Sequence, residues 1–229
     1  MSEEIRVRRI ADGDWDGIVA LESRAYTPLG LSEGRDALES RMRASPGTCF
    51  ALDLGGRLAG YLLALPYPES AYPELNGTER AAVRSSRNLH LHDIVVAEHL
   101  RHRGLARHLL NRLVTTARSQ GYEQISLVAV GGSETFWSGR GFVARLGGPP
   151  PAGYGPTAVY MSRAVHAGPP VLRDGSVPDP EPAKDTARDA ARARDAARDS
   201  TAPRVPDGRG GDSGRDRAPR CAEAGAPVA

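Results

Sequence analysis

Apolar side chains change their spacing repeatedly along the first 165 residues, from strand-like alternation or short β-branched runs to helical periodicity. Strand patterns cover residues 5–10, 48–54, 57–67, 88–99, 123–130, 141–146 and 157–163. Helical patterns cover residues 15–25, 32–44, 104–121 and 133–140. A hairpin of strands followed by alternating strands and helices predicts an α+β or α/β domain with a mixed sheet.

Turn and capping residues support several of these boundaries. Gly55-Gly56 lies between two strand patterns and is typical of a hairpin turn. Ser32, which is followed by acidic residues, predicts the start of the second helix. Residues 68–88 are a long connection, which is uncommon unless it is functional or contains further structure, and residues 78–83 are a candidate short helix within it.

The composition changes sharply after residue 166. All twelve aromatic residues lie between Trp15 and Tyr160, and residues 167–229 contain mostly Ala, Pro, Gly, Arg and Asp. Such a segment cannot bury enough apolar surface to offset its ordering entropy. We therefore predict one folded domain over residues 1–166 and a disordered tail over residues 167–229.

Charge and cysteine content exclude several protein classes. Residues 1–166 carry 19 arginines and 17 acidic residues, so no strong basic field indicates a nucleic-acid partner. No apolar run is long enough to span a membrane, and the N-terminus has no apolar signal core. Cys49 and Cys221 form no disulfide framework. Lys184 is the only lysine, and this arginine-rich composition suggests a bacterial source. We expect a cytoplasmic protein.

The most informative stretch is the strand, turn and helix over residues 94–110. Arg101-His102-Arg103-Gly104-Leu105-Ala106 connects an apolar strand to the clearest helix. Helix N-termini present free N–H groups and a positive dipole end, which suit phosphate, and Gly104 would allow close approach of the backbone to an anion. An ordinary loop with surface arginines is the alternative.

Arg-x-x-Gly-x-Ala in this position resembles the acyl-CoA pyrophosphate loop of the GNAT N-acetyltransferase superfamily, and Phe136-Trp137 followed by Gly141-Phe142 resembles its aromatic-pair signature. The resemblance covers residues 1–165. It implies an α+β fold with a largely antiparallel, splayed sheet and acetyl-CoA as cosubstrate. The residues implied in cofactor binding are Ile94, Val95, Val96, Arg101, His102, Arg103, Gly104, Leu105, Ala106, Arg107 and Trp137.

His90 and His92 lie two apart on one predicted strand and should share a face. Acetyl transfer to an amine needs the neutral amine, and an alkylammonium of pKa about 10 is only about 0.1% neutral at pH 7. Histidine titrates in the range needed to accept that proton. A His-x-His metal site is disfavoured because Asp93 should face the opposite side and no third ligand has suitable spacing. Buried structural histidines are the other alternative.

His90-Leu91-His92 resembles the arylalkylamine N-acetyltransferase branch, in which two histidines act as base or proton relay. The resemblance implies catalytic roles for His92 and His90 and an aryl- or alkylamine acceptor. One departure is Trp137, which stands where that branch has a tyrosine acid. Thiolate protonation would then fall to water or another tyrosine, or the CoA would leave as the thiolate.

We expect a small-molecule amine partner, neither nucleic acid nor membrane, no metal, and a monomer or homodimer. The alternatives are an antibiotic, a polyamine, a protein N-terminus or lysine as acceptor, and a non-catalytic acyl-CoA-binding module. No acidic cluster in the sequence argues for a polyamine. Residues 26–34, 66–88 and 147–156 are expected to build the acceptor pocket, to which four tyrosines could contribute: Tyr26, Tyr67, Tyr72 and Tyr154.

Overall fold

A computed structural model describes residues 3–79, 86–145 and 151–165 of the chain. The strands are β1 (Ile5–Arg9), β2 (Phe50–Leu54), β3 (Arg57–Pro66), β4 (Asn88–Val96), β5 (Gln124–Ala129), β6 (Val143–Ala144) and β7 (Val159–Ala164). The helices are α1 (Trp15–Tyr26), α2 (Arg35–Ala44), α3 (Leu105–Ser119) and α4 (Glu134–Ser138). The predicted tail and the candidate helix over residues 78–83 fall wholly or largely outside the described residues.

The seven strands form one sheet in the order β1-β2-β3-β4-β5-β7-β6. β4 and β5 are parallel, and the other neighbours are antiparallel. The parallel pairing covers only Asn88 to Leu91 of β4. The remainder of β4 therefore diverges from β5, which confirms the mixed, largely antiparallel and splayed sheet.

Helices cover both faces of the sheet, as the apolar stripes require. The leucine stripe of α3 packs with Leu89, Leu91, Ile94 and Val96 of β4 in the larger core cluster. On the opposite face, Trp15 and Ile18 of α1 and Leu38 of α2 pack with Tyr61, Leu63 and Val95. The central strand β4 is thus buried on both faces, and its polar side chains lie in the protein interior.

The second helix begins later than its capping pattern predicted. α2 starts at Arg35 with Gly34 before it, whereas Ser32 was expected to cap it. The Ser32 hydroxyl instead donates a hydrogen bond to Glu22 of α1 at 2.7 Å. Because this contact is tertiary, the local pattern could not show it.

Candidate active site

A β-bulge on β4 positions the candidate catalytic residues. Leu63 pairs with Asp93 and Ala64 pairs with Leu91, so His92 is an extra residue on its strand. Leu91 and Ile94 both face α3, although they are three residues apart. His92 and Asp93 therefore both face α1 and α2. The expectation that Asp93 would face away from His92 was wrong, because it assumed an unbroken two-residue alternation.

His92 forms a buried hydrogen bond with a carboxylate of another element. Its Nε2 lies 2.6 Å from Oε2 of Glu33, and both side chains are less than 5% exposed. Arg41, which lies on the buried stripe of α2, donates to Oε1 of Glu33 at 2.7 Å and to the carbonyl of Glu74 at 2.9 Å. Three side chains from β4, α2 and the turn before α2 thus form one chain of contacts.

The protonation states in this chain follow from burial and charge. Burial opposes ionisation of Glu33, but the hydrogen bond from His92 and the charge of Arg41 outweigh it and lower the pKa of that carboxyl. Burial and then the charge of Arg41 lower the pKa of His92 below its usual value, although Glu33 acts in the opposite direction. At neutral pH the arrangement is therefore an ionised Glu33 beside a neutral imidazole.

Two further carboxylates lie beside His92. Both oxygens of Asp93 accept hydrogen bonds from tyrosines, Oδ1 from Tyr26 at 2.6 Å and Oδ2 from Tyr61. Glu22 accepts from the Ser32 hydroxyl and from the backbone N–H of Glu33, each at 2.7 Å. Burial raises the pKa of Asp93 to about 7, and it also raises the pKa of Glu22.

These groups line a cavity of about 30 Å³. Its lining residues are Glu22, Tyr26, Leu31, Glu33, Leu75, His92, Asp93, Val128, Val130 and Tyr154. All three segments expected to build the acceptor pocket contribute to it. No acidic cluster is visible in the sequence, because the three carboxylates of the cavity are far apart along the chain and only the fold brings them together.

The other predicted tyrosines and His90 lie around the cavity and do not line it. Tyr72 packs edge-on against Tyr154. The Asn88 side-chain amide donates to Oγ of Ser126 at 2.9 Å, and that hydroxyl lies 3.1 Å from Nδ1 of His90. Burial, and then the nearby His92 and Arg41, lower the pKa of His90 well below its usual value. His90 is therefore a neutral side chain in a hydrogen-bonded part of the core.

The turn after β4 has the geometry of an anion-binding loop. His102 and Gly104 both have left-handed backbone conformations, with φ of 61° and 76°. This arrangement turns the chain into the N-terminus of α3, where the first N–H groups have no helical partner. The Nε of Arg101 is buried and has no hydrogen-bond partner among the described residues. An anionic group on a ligand is the partner that these donors fit.

Two cavities flank this turn, of about 230 and 240 Å³, and Val96 and Arg101 line both. The 230 Å³ cavity is also lined by Val95, and the 240 Å³ cavity is also lined by His102 and by Gly104 to Arg107. These are residues for which the sequence implied contact with acetyl-CoA. The cavities and the unpartnered donor of Arg101 fit a cosubstrate with a long arm and phosphate groups.

Three of the predicted cofactor residues lie outside these cavities. Ile94 is buried in the core against α3, and Arg103 extends toward Glu3 at 3.4 Å. Trp137 is 3% exposed and packs edge-on against Phe136 and Phe142. Phe136 does line the larger cavity, together with Arg140, whose guanidinium lies over its ring. Sequence analysis missed Arg140 because a single arginine after a short helix carries no signal.

No helix within residues 3–79, 86–145 and 151–165 has the length and apolar character needed to cross a membrane. Within the same ranges, no three His, Cys, Asp or Glu side chains are grouped so that they could hold a metal ion.

Comparison with known proteins gives the same picture. Residues 15–142, more than half of the chain, match the model of the acetyltransferase (GNAT) family. No curated protein sequence matches significantly.

Many solved structures share the fold. Ard1 from Thermoplasma volcanium has a TM-score of 0.57 at 17% identity, covering 71% of this chain and 98% of its own. The ribosomal-protein-S18-alanine N-acetyltransferase from Escherichia coli has a TM-score of 0.53 at 15% identity, covering 74% and 99%. N-acetylglutamate synthase from Neisseria gonorrhoeae, solved with coenzyme A, has a TM-score of 0.54 at 18% identity, covering 71% and 35%.

Proposed function

Since this chain belongs to the acetyltransferase (GNAT) family and is thus an acetyl-CoA-dependent N-acetyltransferase, we propose that its acceptor is a small primary amine and that His92 is the general base. Acetyl-CoA supplies the acetyl thioester. The residues of the chain must then bind the amine, take its proton and hold the two reactants together.

The observation that carries the proposal is the contact between His92 and Glu33. An ionised carboxylate can only accept a hydrogen bond, so the proton of a neutral His92 is on Nε2, and this N–H donates a hydrogen bond to Oε2 of Glu33. Nδ1 then holds the lone pair, and this atom is buried without a hydrogen-bond partner among the described residues. The His92 side chain lines the cavity, and its fixed tautomer with an unpaired Nδ1 supports a role as general base.

Glu33 and Arg41 are positioning residues in this proposal. Arg41 balances the charge of Glu33, and Glu33 fixes the tautomer and the ring orientation of His92. When His92 takes a proton, the adjacent carboxylate stabilises the imidazolium that forms. The arrangement therefore supports proton transfer to His92 with little reorganisation.

The hydrogen bonding favours unequal roles for the two histidines. The Asn88 amide donates to Ser126, so the Ser126 hydroxyl proton is available for Nδ1 of His90. That contact occupies one ring nitrogen of His90, and burial opposes its protonation. We infer that His92 accepts the proton and that His90 supports its position, with ring centroids 6.3 Å apart.

The size of the cavity favours a small amine over a protein chain as acceptor, and the tyrosines around it suit an aryl- or alkylamine of the kind suggested by the arylalkylamine branch. That branch uses a tyrosine acid at the position of Trp137. The indole N–H is not an acid and the ring is packed in the core, so the proposal assigns thiolate protonation to water or a tyrosine.

The test measures release of the CoA thiol from acetyl-CoA with a panel of amines at pH 6–9. The panel includes arylalkylamines, alkylamines, diamines, amino acids and peptides with free N-termini or lysines. We expect release with small amines, and a fall in kcat of about 10²- to 10⁴-fold in H92A. The H92A rate should recover partly at high pH, where the free amine is more abundant.

His108 on the exposed side of α3 provides a matched histidine control, and H108A should behave as wild type. Because the pKa of His92 is lowered, wild-type kcat should fall only as the pH drops below about 6.5. Full activity of H92A with every amine would contradict the assignment of the base. Acetyl-CoA binding without release in any reaction would contradict catalysis on amines.

A further inference from the structure

The cavity beside His92 carries more negative charge than its neighbours balance. Glu22, Glu33 and Asp93 are each less than 10% exposed, and His92 is the only lining residue that can be positively charged. Arg41 compensates Glu33 from behind the cavity. Glu22 and Asp93 therefore remain as two carboxylates without an ion pair among the described residues, although the charge of Arg41 partly offsets the rise in the pKa of Glu22.

Neutral donors hold these two carboxylates. Hydroxyl groups of Tyr26 and Tyr61 contact Asp93, and a serine hydroxyl and a backbone N–H contact Glu22. Such donors stabilise a carboxylate but do not cancel its charge, and burial of an uncompensated charge costs free energy. The raised pKa values of Glu22 and Asp93 reflect this cost. A bound cation would relieve it.

A second observation points to a ligand at the same place. The His92 side chain lines the cavity, is 3% exposed, and has an Nδ1 atom without a hydrogen-bond partner among the described residues. The ring of Tyr154 and the apolar side chains of Leu31 and Leu75 complete the wall. This combination suits a short alkyl chain that ends in a cationic group.

The nitrogen that reacts does not by itself account for the presence of Glu22 and Asp93 beside the cavity. It must lose its proton before it attacks, and nearby carboxylates would stabilise the ammonium form and oppose that loss. A cationic group that stays charged throughout the reaction is stabilised by the same carboxylates in both the ground state and the transition state.

We propose that the acceptor carries a second cationic group, as a short α,ω-diamine does, and that Glu22 and Asp93 bind this group while His92 deprotonates the other nitrogen. This inference rests on the proposed function and defines its substrate class.

The test compares each diamine with the monoamine in which a methyl group replaces the distal ammonium. The pairs are 1,3-diaminopropane with butylamine, 1,4-diaminobutane with pentylamine, and 1,5-diaminopentane with hexylamine. In wild type we expect at least one diamine to exceed its monoamine in kcat/KM by about 10- to 100-fold, corrected for its two equivalent amines, since a hydrogen bond to a charged group contributes that much. The best pair reports the distance between the two subsites.

The variants D93N and E22Q keep the shape and remove the charge. Each should lower the ratio of diamine to monoamine kcat/KM by about tenfold, with melting curves as the check on folding. Equal use of the two amines of every pair by wild type would overturn this inference and leave the proposed function standing. A wild-type preference that survives in both folded variants would also overturn it. No release with any amine would overturn the proposed function and this inference together.

Discussion

The cavity at His92 and the turn that follows β4 are built in opposite ways. At His92 and Asp93, buried side chains from β4, α1 and the turn before α2 converge on a small acidic cavity. At Arg101 to Gly104, consecutive residues form a basic turn by backbone conformation alone. The acidic cavity depends on packing between distant elements, whereas the basic turn depends on local geometry.

The difference also concerns charge and its consequences. The basic turn is exposed from His102 to Gly104, so Arg103 keeps its hydration and contributes little to folding. The carboxylates of the cavity are out of water, so each needs a partner or a proton. We therefore expect changes in the cavity to affect folding and chemistry together, and changes in the turn to affect binding of acetyl-CoA with small effects on folding.

The largest effect should come from Arg41, whose guanidinium is fully buried. R41M would leave the Glu33 carboxylate buried without its cation, and we expect a loss of about 3–5 kcal/mol in the free energy of unfolding. Denaturant unfolding measures it. The double variant with E33Q should recover part of the loss, because both charges are then absent.

Arg35 on the same helix is the matched control. It pairs with Asp16 and Glu39 at the surface, and R35M should leave stability close to that of wild type. Similar losses in R41M and R35M would show that the buried pair has no special role in folding.

The next largest expected effect is a dependence of stability on pH that is caused by Asp93. Its pKa is raised from 3.8 to about 7, so the folded state holds a proton that the unfolded state releases. The contribution of Asp93 to stability should therefore become less favourable as pH rises from about 4 to about 7. It should then stay level above pH 7.

The measurement is the difference in unfolding free energy between D93N and wild type across that range. The difference should shift in favour of D93N by up to about 1.4 kcal/mol per pH unit, and titrating groups that do not interact with Asp93 cancel in it. A difference that does not change with pH would show that Asp93 keeps its usual pKa.

The smallest expected effect is that of a glycine substitution in the turn. A comparison of two glycines separates the cost of the backbone conformation from a loss of acetyl-CoA binding. Gly104 and Gly121, at the two ends of α3, have φ of 76° and 77°, and a Cβ would meet no atom within 4 Å at either position. G104A and G121A should each lose about 1–2 kcal/mol of stability from the left-handed conformation.

Only G104A should also raise the KM for acetyl-CoA, since Gly104 lines a cavity at the turn. Melting curves and steady-state kinetics give both quantities. An equal change of KM in the two variants would contradict a role of the turn in binding acetyl-CoA.

The same comparison explains what the sequence could predict. The succession of strands and helices along the chain, the long helix α3 and the turn at Gly104 depend on local periodicity and on glycine in a left-handed conformation, and these are visible along the chain. Ser32 was misread as a helix cap because its partner, Glu22, lies on another helix. The roles of Glu33 and Arg41 follow from contacts between elements, which periodicity does not encode.

The bulge also limited the prediction at Asp93. The spacing of His90 and His92 predicts that they share a face of the strand. The same unbroken alternation predicts, wrongly, that Asp93 lies on the other face. Nothing local in Leu91-His92-Asp93 signals an extra residue, since the bulge depends on the register with β3.

The extra residue at His92 determines what a deletion of one residue would do to β4. If His92 were deleted, Leu91, Asp93, Ile94, Val95 and Val96 would alternate as in a regular strand and each would keep its present face. The fold therefore does not need the residue to which we assign the chemistry. A deletion at this position would keep the hydrophobic pattern and remove the proposed base, so His92 is in this sense an insertion into a complete strand.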